Sequence, residues 1–447
     1  MLDRLEGDKI IWMIVFFLII FSILAVSSST SLLAIQQKSS RLSFAMEQIL
    51  MAAVGLGIIA GLCKIGKIGV FRFFSQGFFV LSFLLLAFLA SHFTKIPFFR
   101  PVNINQAWRC ISVFGFQLHV FEFVKVFMVM YIAWAMDALK TNRTPLADKL
   151  AKKPHLEFMA KKEAKVCFYV LFPIAIITLL IALGSNSSAM FIGLVMVVTA
   201  LVGGLDLKYI IYVLLLGIVC AGLIFGVYKI SDGKVFGRLE LIERRVKLAL
   251  ADPLERLHAE KPGTLKFQKI LDETMQPVSA KVAVSEGGFF GKGPGNSTQR
   301  YVVSVMYEDY IFSFIVEEYG MIGALVILIL YGSLLARGSI IVRNCDNHYA
   351  KTMIAGLVLL VSGQALMHIL INVDLFPLTG QTLPMISHGN SSFLAFSLVF
   401  GILLSVSKMA QKKIEQETAA AAPIFVTEDE VKDSLDDLDQ LESSEIQ

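Results

Sequence analysis

IIWMIVFFLIIFSILAVSSST, residues 10–30, decides the fold class. Its first seventeen positions hold one serine, Ser22, and no charge. A helix rises about 1.5 Å per residue, so about 20 apolar residues cross the roughly 30 Å hydrocarbon core of a bilayer. Arg4 and Lys9 precede the run, and no small-x-small cleavage site follows it. The segment therefore reads as a first spanning helix rather than a removed signal.

The same kind of window recurs along the chain, at roughly 10–30, 43–63, 73–93, 112–137, 165–184, 186–205, 208–229, 309–335, 352–373 and 384–407. The sixth and seventh are joined tightly through Gly203, Gly204 and Asp206. Of 447 residues, 56% are hydrophobic and 17% are charged, and the mean hydropathy is +0.69. A soluble domain cannot hide that much apolar surface. The expected fold is an all-α polytopic membrane protein of about ten transmembrane helices, with a large extracytoplasmic loop, about 230–308, between the seventh and eighth. A net charge of +4 points to no nucleic-acid partner. Cys63, Cys110, Cys167, Cys220 and Cys345 form no CxxC or metal spacing, so buried free thiols are expected.

Loop charge sets the orientation. Lys64, Lys67 and Arg72 follow the second window, and seven Lys or Arg between Lys140 and Lys162 follow the fourth. Arg337, Arg343 and Lys351 follow the eighth, and Lys408, Lys412 and Lys413 follow the last. All fall on one side if both termini are cytoplasmic. The expected organisation is an integral membrane domain, 1–410, and an acidic, disordered cytoplasmic tail, 411–447, whose TEDEVKDSLDDLDQLESSEIQ cannot form a core.

Most of the unusual polar residues then lie on the outer side. SEGGFFGKGPGNSTQR, 285–300, has five glycines within nine positions, and it can aim backbone N–H groups at an anion beside Lys292 and Arg300. A flexible loop is an equal reading, and no GK[ST] makes it a Walker loop. Next comes SVMYEDYIFSFIVEEYG, 304–320. Glu308 and Asp309 stand at the mouth of the eighth helix, where the helix dipole favours an acid and where a carboxylate can take a proton from a substrate hydroxyl. Glu317 and Glu318 lie deeper; an intramembrane acid costs roughly 2.5–3.5 kcal/mol, so each should face the bundle with a partner. Glu122 and Lys125 share one face of the fourth helix, as a neutralising pair or as the wall of a cavity. Gln364, His368 and Asn372 make a polar stripe suited to interhelical hydrogen bonds. FPLTGQTLPMISHGNSS, 376–392, opens the tenth helix irregularly, and such backbone is tolerated at membrane depth where it lines a cavity.

At AKVAVSEGGFFGKGPGNSTQR, EDYIFSFIVEEYGMIG and NVDLFPLTGQTLPMISHGNSS the chain resembles the SEDS family (shape, elongation, division and sporulation), whose members include FtsW and RodA. The resemblance spans roughly 100–407, and KGPGNSTQR leans to the FtsW branch. It implies a peptidoglycan glycosyltransferase in the cytoplasmic membrane, polymerising lipid II on the outer face in division or shape maintenance. It implies a class B penicillin-binding protein and other division or elongation proteins as partners, with membrane lipid around the helices. Asp309 matches the family's critical Asp. Glu122, Lys125 and Gln276 match its further polar positions, and Lys292, Asn296, Ser297, Arg300, Ser387 and Ser391 join them as cavity residues. Asp309 is then the general base, and the lipid pyrophosphate leaves toward Lys292, Arg300 or Arg245, or toward a divalent cation, Mg or Mn. His119, Val120, Phe121, Glu308, His388 and Asn390 depart from the family pattern and have no assigned role. A lipid II flippase and a non-catalytic division scaffold are the rival readings.

Overall fold

The structure, a computed structural model, describes residues 6–91, 99–104, 107–114, 116–212, 261–303, 306–376 and 380–421. In chain order its elements are α1 (Lys9–Ser29), α2 (Ser31–Gln36), α3 (Arg41–Ile65), α4 (Ile68–Ala90), β1 (Phe99–Ile104), β2 (Ala107–Val113), β3 (Phe116–His119) and α5 (Val120–Lys140). There follow α6 (Pro145–Leu150), α7 (Lys162–Ala182), α8 (Asn186–Val202), α9 (Leu265–Gly287), α10 (Ile311–Asn344), α11 (His348–Asn372) and α12 (Asn390–Ala421).

Among the described residues, seven helices are long and apolar enough to cross a membrane: α1, α3, α4, α7, α10, α11 and α12. The protein is a multi-pass helical membrane protein, as expected. Several boundaries differ. Residues 112–113 and 116–119 are strand, not the start of the fourth span; they belong to a three-stranded antiparallel sheet, β1–β2–β3, that hands directly into α5. The tenth helix starts at Asn390, because 384–389 is taken up by turns. It runs to Ala421, eleven residues into the segment read as tail. The seventh window lies outside the described residues beyond Tyr212, as do most of the loop's first half, with Arg245, and the tail from 422. Cys63, Cys110 and Cys345 are buried free thiols, whereas Cys167 is exposed, on a helix face turned away from the bundle.

α11 and α12 form the centre. Their apolar windows are 67% and 78% buried, against 28% for α3 and 22% for α4, whose outer faces carry leucine and phenylalanine toward lipid. α12 packs along α3, α10 along α11, and α5 is flanked by α4 and α11. Pro173 cannot supply the N–H that a helix would give to the Tyr169 carbonyl, and a π turn at Cys167–Leu171 precedes it. The Tyr131 hydroxyl of α5 donates to that carbonyl instead, at 3.0 Å, and fastens α7 to α5.

Two ionic clusters close the end of the bundle where the basic loops gather. Asp8 caps α1 through the Ile10 and Ile11 N–H groups, pairs with Arg337 of α10, and its own N–H donates to Ser407 of α12 at 2.9 Å. Asp137 of α5 pairs with Arg72 of α4 at 2.6 Å, with His348 of α11 at 3.9 Å. The opposite end carries the sheet, the glycine loop and the 380–389 turns. It is also the end that holds Asp309.

Candidate functional site

Three consecutive carbonyls, those of Tyr307, Glu308 and Asp309, are each gripped by a different donor. The His388 N–H donates to Tyr307 at 3.0 Å, the Ser387 hydroxyl to Glu308 at 2.8 Å, and the Asn372 amide to Asp309 at 3.0 Å. Ser387 also accepts from the Leu383 N–H at 2.8 Å. The Asn372 oxygen accepts from both the N–H and the hydroxyl of Ser313, each at 2.9 Å, and so satisfies the first turn of α10. Gly380 adopts φ +62°, and a Cβ placed there would stand 3.9 Å from both Asp309 carboxyl oxygens. The 380–388 turns therefore build one wall of the site, and the end of α11 builds the floor. The polar stripe of α11 continues below: Gln364 donates to the Thr382 carbonyl at 2.8 Å, and His368 Nδ1 lies 2.7 Å from the Gln381 carbonyl.

The two acids at the mouth are shifted to different extents. Burial, with Asp309 and Glu122 nearby, pushes the Glu308 carboxyl up to about 8. Burial also raises Asp309, to about 6, and the Arg109 guanidinium on β2 limits the rise. Both acids are thus held above the ordinary carboxylate range, Glu308 the further of the two, because burial disfavours their charged forms and Asp309 adds a like charge beside Glu308.

Lys125 and Glu122 meet as the spacing predicts, at 2.8 Å. Lys125 is 1% exposed, lies 5.3 Å from the centre of the Phe396 ring, and donates at 2.5 Å to Gln364. The pair thus joins α5, α11 and α12. Removing one partner strands a buried charge, which costs about 3–5 kcal/mol. Lys125→Met should lower the thermal unfolding midpoint sharply in detergent, and Glu122→Gln in the same chain should restore most of it. A double variant no more stable than the single one would show that the pair is not the cause. Ser391 accepts from the His119 N–H at 2.9 Å and donates to the Gln117 carbonyl at 3.2 Å, so it ties β3 to the start of α12.

The glycine loop does cradle an anion, but the anion is the protein's own. Glu317 accepts from Lys292 (2.8 Å), the Ser297 hydroxyl (2.5 Å) and the Thr298 N–H (2.8 Å). Glu318 accepts from the Gly295 N–H at 2.9 Å and from Ser28 of α1 at 2.7 Å, with Arg300 at 3.7 Å. Lys292 also pairs with Glu286. Both loop cations expected to face a pyrophosphate are thus engaged by carboxylates. Asn296 is exposed and donates to the Lys292 carbonyl at 3.0 Å; Gln276 is half-buried on α9, away from this loop in sequence. Glu47 of α3, which nothing in the sequence singled out, accepts from Asn390 at 2.8 Å. The one signal it offered was an acid inside the second apolar window. Among the described residues no three His, Cys, Asp or Glu side chains gather as a metal would need.

A family model described as "Cell cycle protein", FTSW_RODA_SPOVE, matches residues 8–412. A Bacillus subtilis protein described as "Probable peptidoglycan glycosyltransferase FtsW" is 26% identical over 409 residues, covering 90% of this chain and 91% of its own. The fold is similar to that of a Thermus thermophilus rod shape determining protein RodA (TM-score 0.56, 18% identity, 91% of this chain and 98% of that one). It is also similar to a chain from a structure described as "Structural coordination of polymerization and crosslinking by a peptidoglycan synthase complex" (TM-score 0.58, 19% identity, 91% and 99%).

Proposed function

The chain belongs to the FtsW/RodA/SpoVE family, and from that premise we propose that it is a peptidoglycan glycosyltransferase that polymerises lipid II with Asp309 as general base. The observation that carries this reading is the placement of Asp309 at the mouth of α10: Asn372 fixes its backbone carbonyl at 3.0 Å, and the Gly380 turn lies against both of its carboxyl oxygens. A base with a value near 6 is ionised at neutral pH and still basic enough to accept a proton in the transition state.

In the reaction, Asp309 takes the proton of an acceptor sugar hydroxyl. The oxygen attacks the anomeric carbon of the donor, the bond to the lipid diphosphate breaks, and that group leaves with the bonding electrons. Direct displacement inverts the anomeric centre. Lys292 and Arg300 are held by Glu317 and Glu318. Arg109, whose charge reaches the Asp309 carboxyl, is the described cation best suited to the departing diphosphate. The basic end of the bundle faces the cytoplasm with both termini, and Asp309 faces the outer side of the cytoplasmic membrane. A class B penicillin-binding protein is the partner in this reading, cross-linking the strand as it is made.

The test is a polymerisation assay on the purified full chain with lipid II and a penicillin-binding partner whose own chemistry is disabled. Glycan strands from the wild type support the polymerase. Lipid II crossing liposome membranes with no strand made would favour the flippase instead.

The pH profile follows from the acid pair at the mouth. kcat/KM should rise through about pH 6 as Asp309 ionises and fall above about pH 8 as Glu308 puts a second charge beside it. Glu308→Gln should erase the alkaline limb and leave the acid limb. An alkaline limb unchanged in Glu308→Gln would assign it to another group.

A further inference from the structure

Beside the acid pair, three side chains from three separate elements converge. Asn390, the first residue of α12, donates its amide to Glu47 Oε1 at 2.8 Å, which turns its own Oδ1 away from Glu47. That Oδ1 is buried and has no hydrogen-bond partner among the described residues. His388 Nε2 is likewise buried without a hydrogen bond, 4.0 Å from Glu47 Oε2. The imidazole cannot turn freely to find a partner. It sits edge-on to the Tyr307 ring at 5.6 Å and to the Phe44 ring at 6.2 Å.

Two buried polar atoms without partners are costly, on the order of 1–3 kcal/mol each, and a group that satisfies them recovers that cost. The most exposed member of the cluster is Glu47, whose side chain is 43% exposed and reaches Asn390 Nδ2 at 2.8 Å and His388 Nε2 at 4.0 Å. The cluster is also indexed to the chemistry. The His388 N–H holds the Tyr307 carbonyl, and the next two carbonyls along are those of Glu308 and Asp309. A ligand group seated here is therefore placed at a fixed offset from the base.

We propose that Asn390, His388 and Glu47 form a recognition notch for the acetamido group of an N-acetylated amino sugar in the substrate. The amide N–H of such a group donates to Asn390 Oδ1, its carbonyl accepts from the His388 imidazole, and its methyl packs on the edges of Tyr307 and Phe44. Glu47 swings aside and takes a neighbouring sugar hydroxyl. These are specificity-determining residues and play no part in bond making. The inference rests on the reading of the chain as a glycan polymerase, but it is tested by binding and not by turnover.

The experiment uses the full-length Asp309→Asn protein, so that chemistry is absent. Its affinity is measured for two soluble probes: the N-acetylglucosaminyl–N-acetylmuramyl disaccharide, and the same disaccharide with both acetyl groups removed. The expected result is a preference of about tenfold for the acetylated probe, the value of one or two well-made hydrogen bonds. Asn390→Ala and His388→Phe, each added to that protein, should bind the two probes alike. His388→Phe keeps the aromatic packing, so it answers the test even if Asn390→Ala folds poorly. A preference that survives in both variants overturns the notch. So does a starting protein that shows no preference or binds neither probe. Equal weakening of both probes in a well-folded variant also overturns it, because the effect would not follow the acetyl group. The polymerase reading is judged separately, by strand formation in the chain with Asp309 intact.

Discussion

Asp309→Asn should yield a folded protein that makes glycan strands at a rate lower by a factor on the order of 10²–10⁴, the usual contribution of a general base. The substitution keeps the shape of the side chain and removes its proton affinity. Nothing that positions residue 309 is lost, because Asn372 grips its carbonyl and not its carboxyl. Stability should not fall either. Burial holds the Asp309 value at about 6, above the ordinary carboxylate range, so the folded state binds this proton more tightly than the unfolded chain. At neutral pH the ionised carboxylate therefore works against folding, and a neutral isostere relieves it. The measurement is strand length and rate from lipid II, alongside the thermal unfolding midpoint. Full activity in a variant with an unchanged midpoint would remove Asp309 from the mechanism. Asp309→Glu is the useful companion: it keeps a base but moves it about one bond length, and partial activity would assign the loss to proton transfer with placement as a lesser part.

Much of this site was legible before any coordinates. Glu308 and Asp309 were marked by position, as charges where a polar loop meets an apolar run. Glu122 and Lys125 were marked by helical spacing, and Asn372 by the four-residue stripe it shares with His368 and Gln364. These signals are local, and a helix converts spacing into direction. The start of the fourth span was not legible, because a window long enough to find a membrane helix averages the short strand FQLH into the apolar helix that follows it directly. Glu47 was hidden for a different reason. Its meaning depends on Asn390, 343 positions away, and no window holds both. The partner of the glycine loop was not legible, because glycine content says that backbone N–H groups are available, not what they meet. What they meet is set by two acids, some twenty residues on, which the sequence marks only as intramembrane charges in need of a partner. Loop and helix are one unit.

That unity predicts the second large effect. α10 is broken at Gly320, which adopts φ +68° and ψ −165°, a region open in practice to glycine alone. In an unbroken helix the Met321 and Ile322 N–H groups would donate to the Glu317 and Glu318 carbonyls. Here the loop is spliced into that gap. The Lys292 and Gly293 N–H groups take the two carbonyls at 2.9 and 3.0 Å, and Met321 and Ile322 donate to the Gly288 and Phe289 carbonyls at 3.0 and 3.4 Å. A Cβ on residue 320 would collide with the backbone of Gly291 and Phe289. Gly320→Ala should therefore heal the helix and expel the loop. The expected outcome is proteolytic cleavage within 288–300, a lower unfolding midpoint and no strand synthesis, with helical content kept or raised. A Gly320→Ala protein as resistant to protease as the wild type would show that the splice is not needed.

The same geometry separates two roles for the cations. If Lys292 served the departing diphosphate, Lys292→Met would slow turnover and spare stability. If it serves Glu317, which is fully buried, the variant strands a carboxylate and should lose about 3–5 kcal/mol. Joining Glu317→Gln to Lys292→Met should then recover much of that stability. The hydrogen bonds already drawn to Glu317 from Ser297 and Thr298 favour the second outcome, because a neutral amide oxygen can accept them as the carboxylate does.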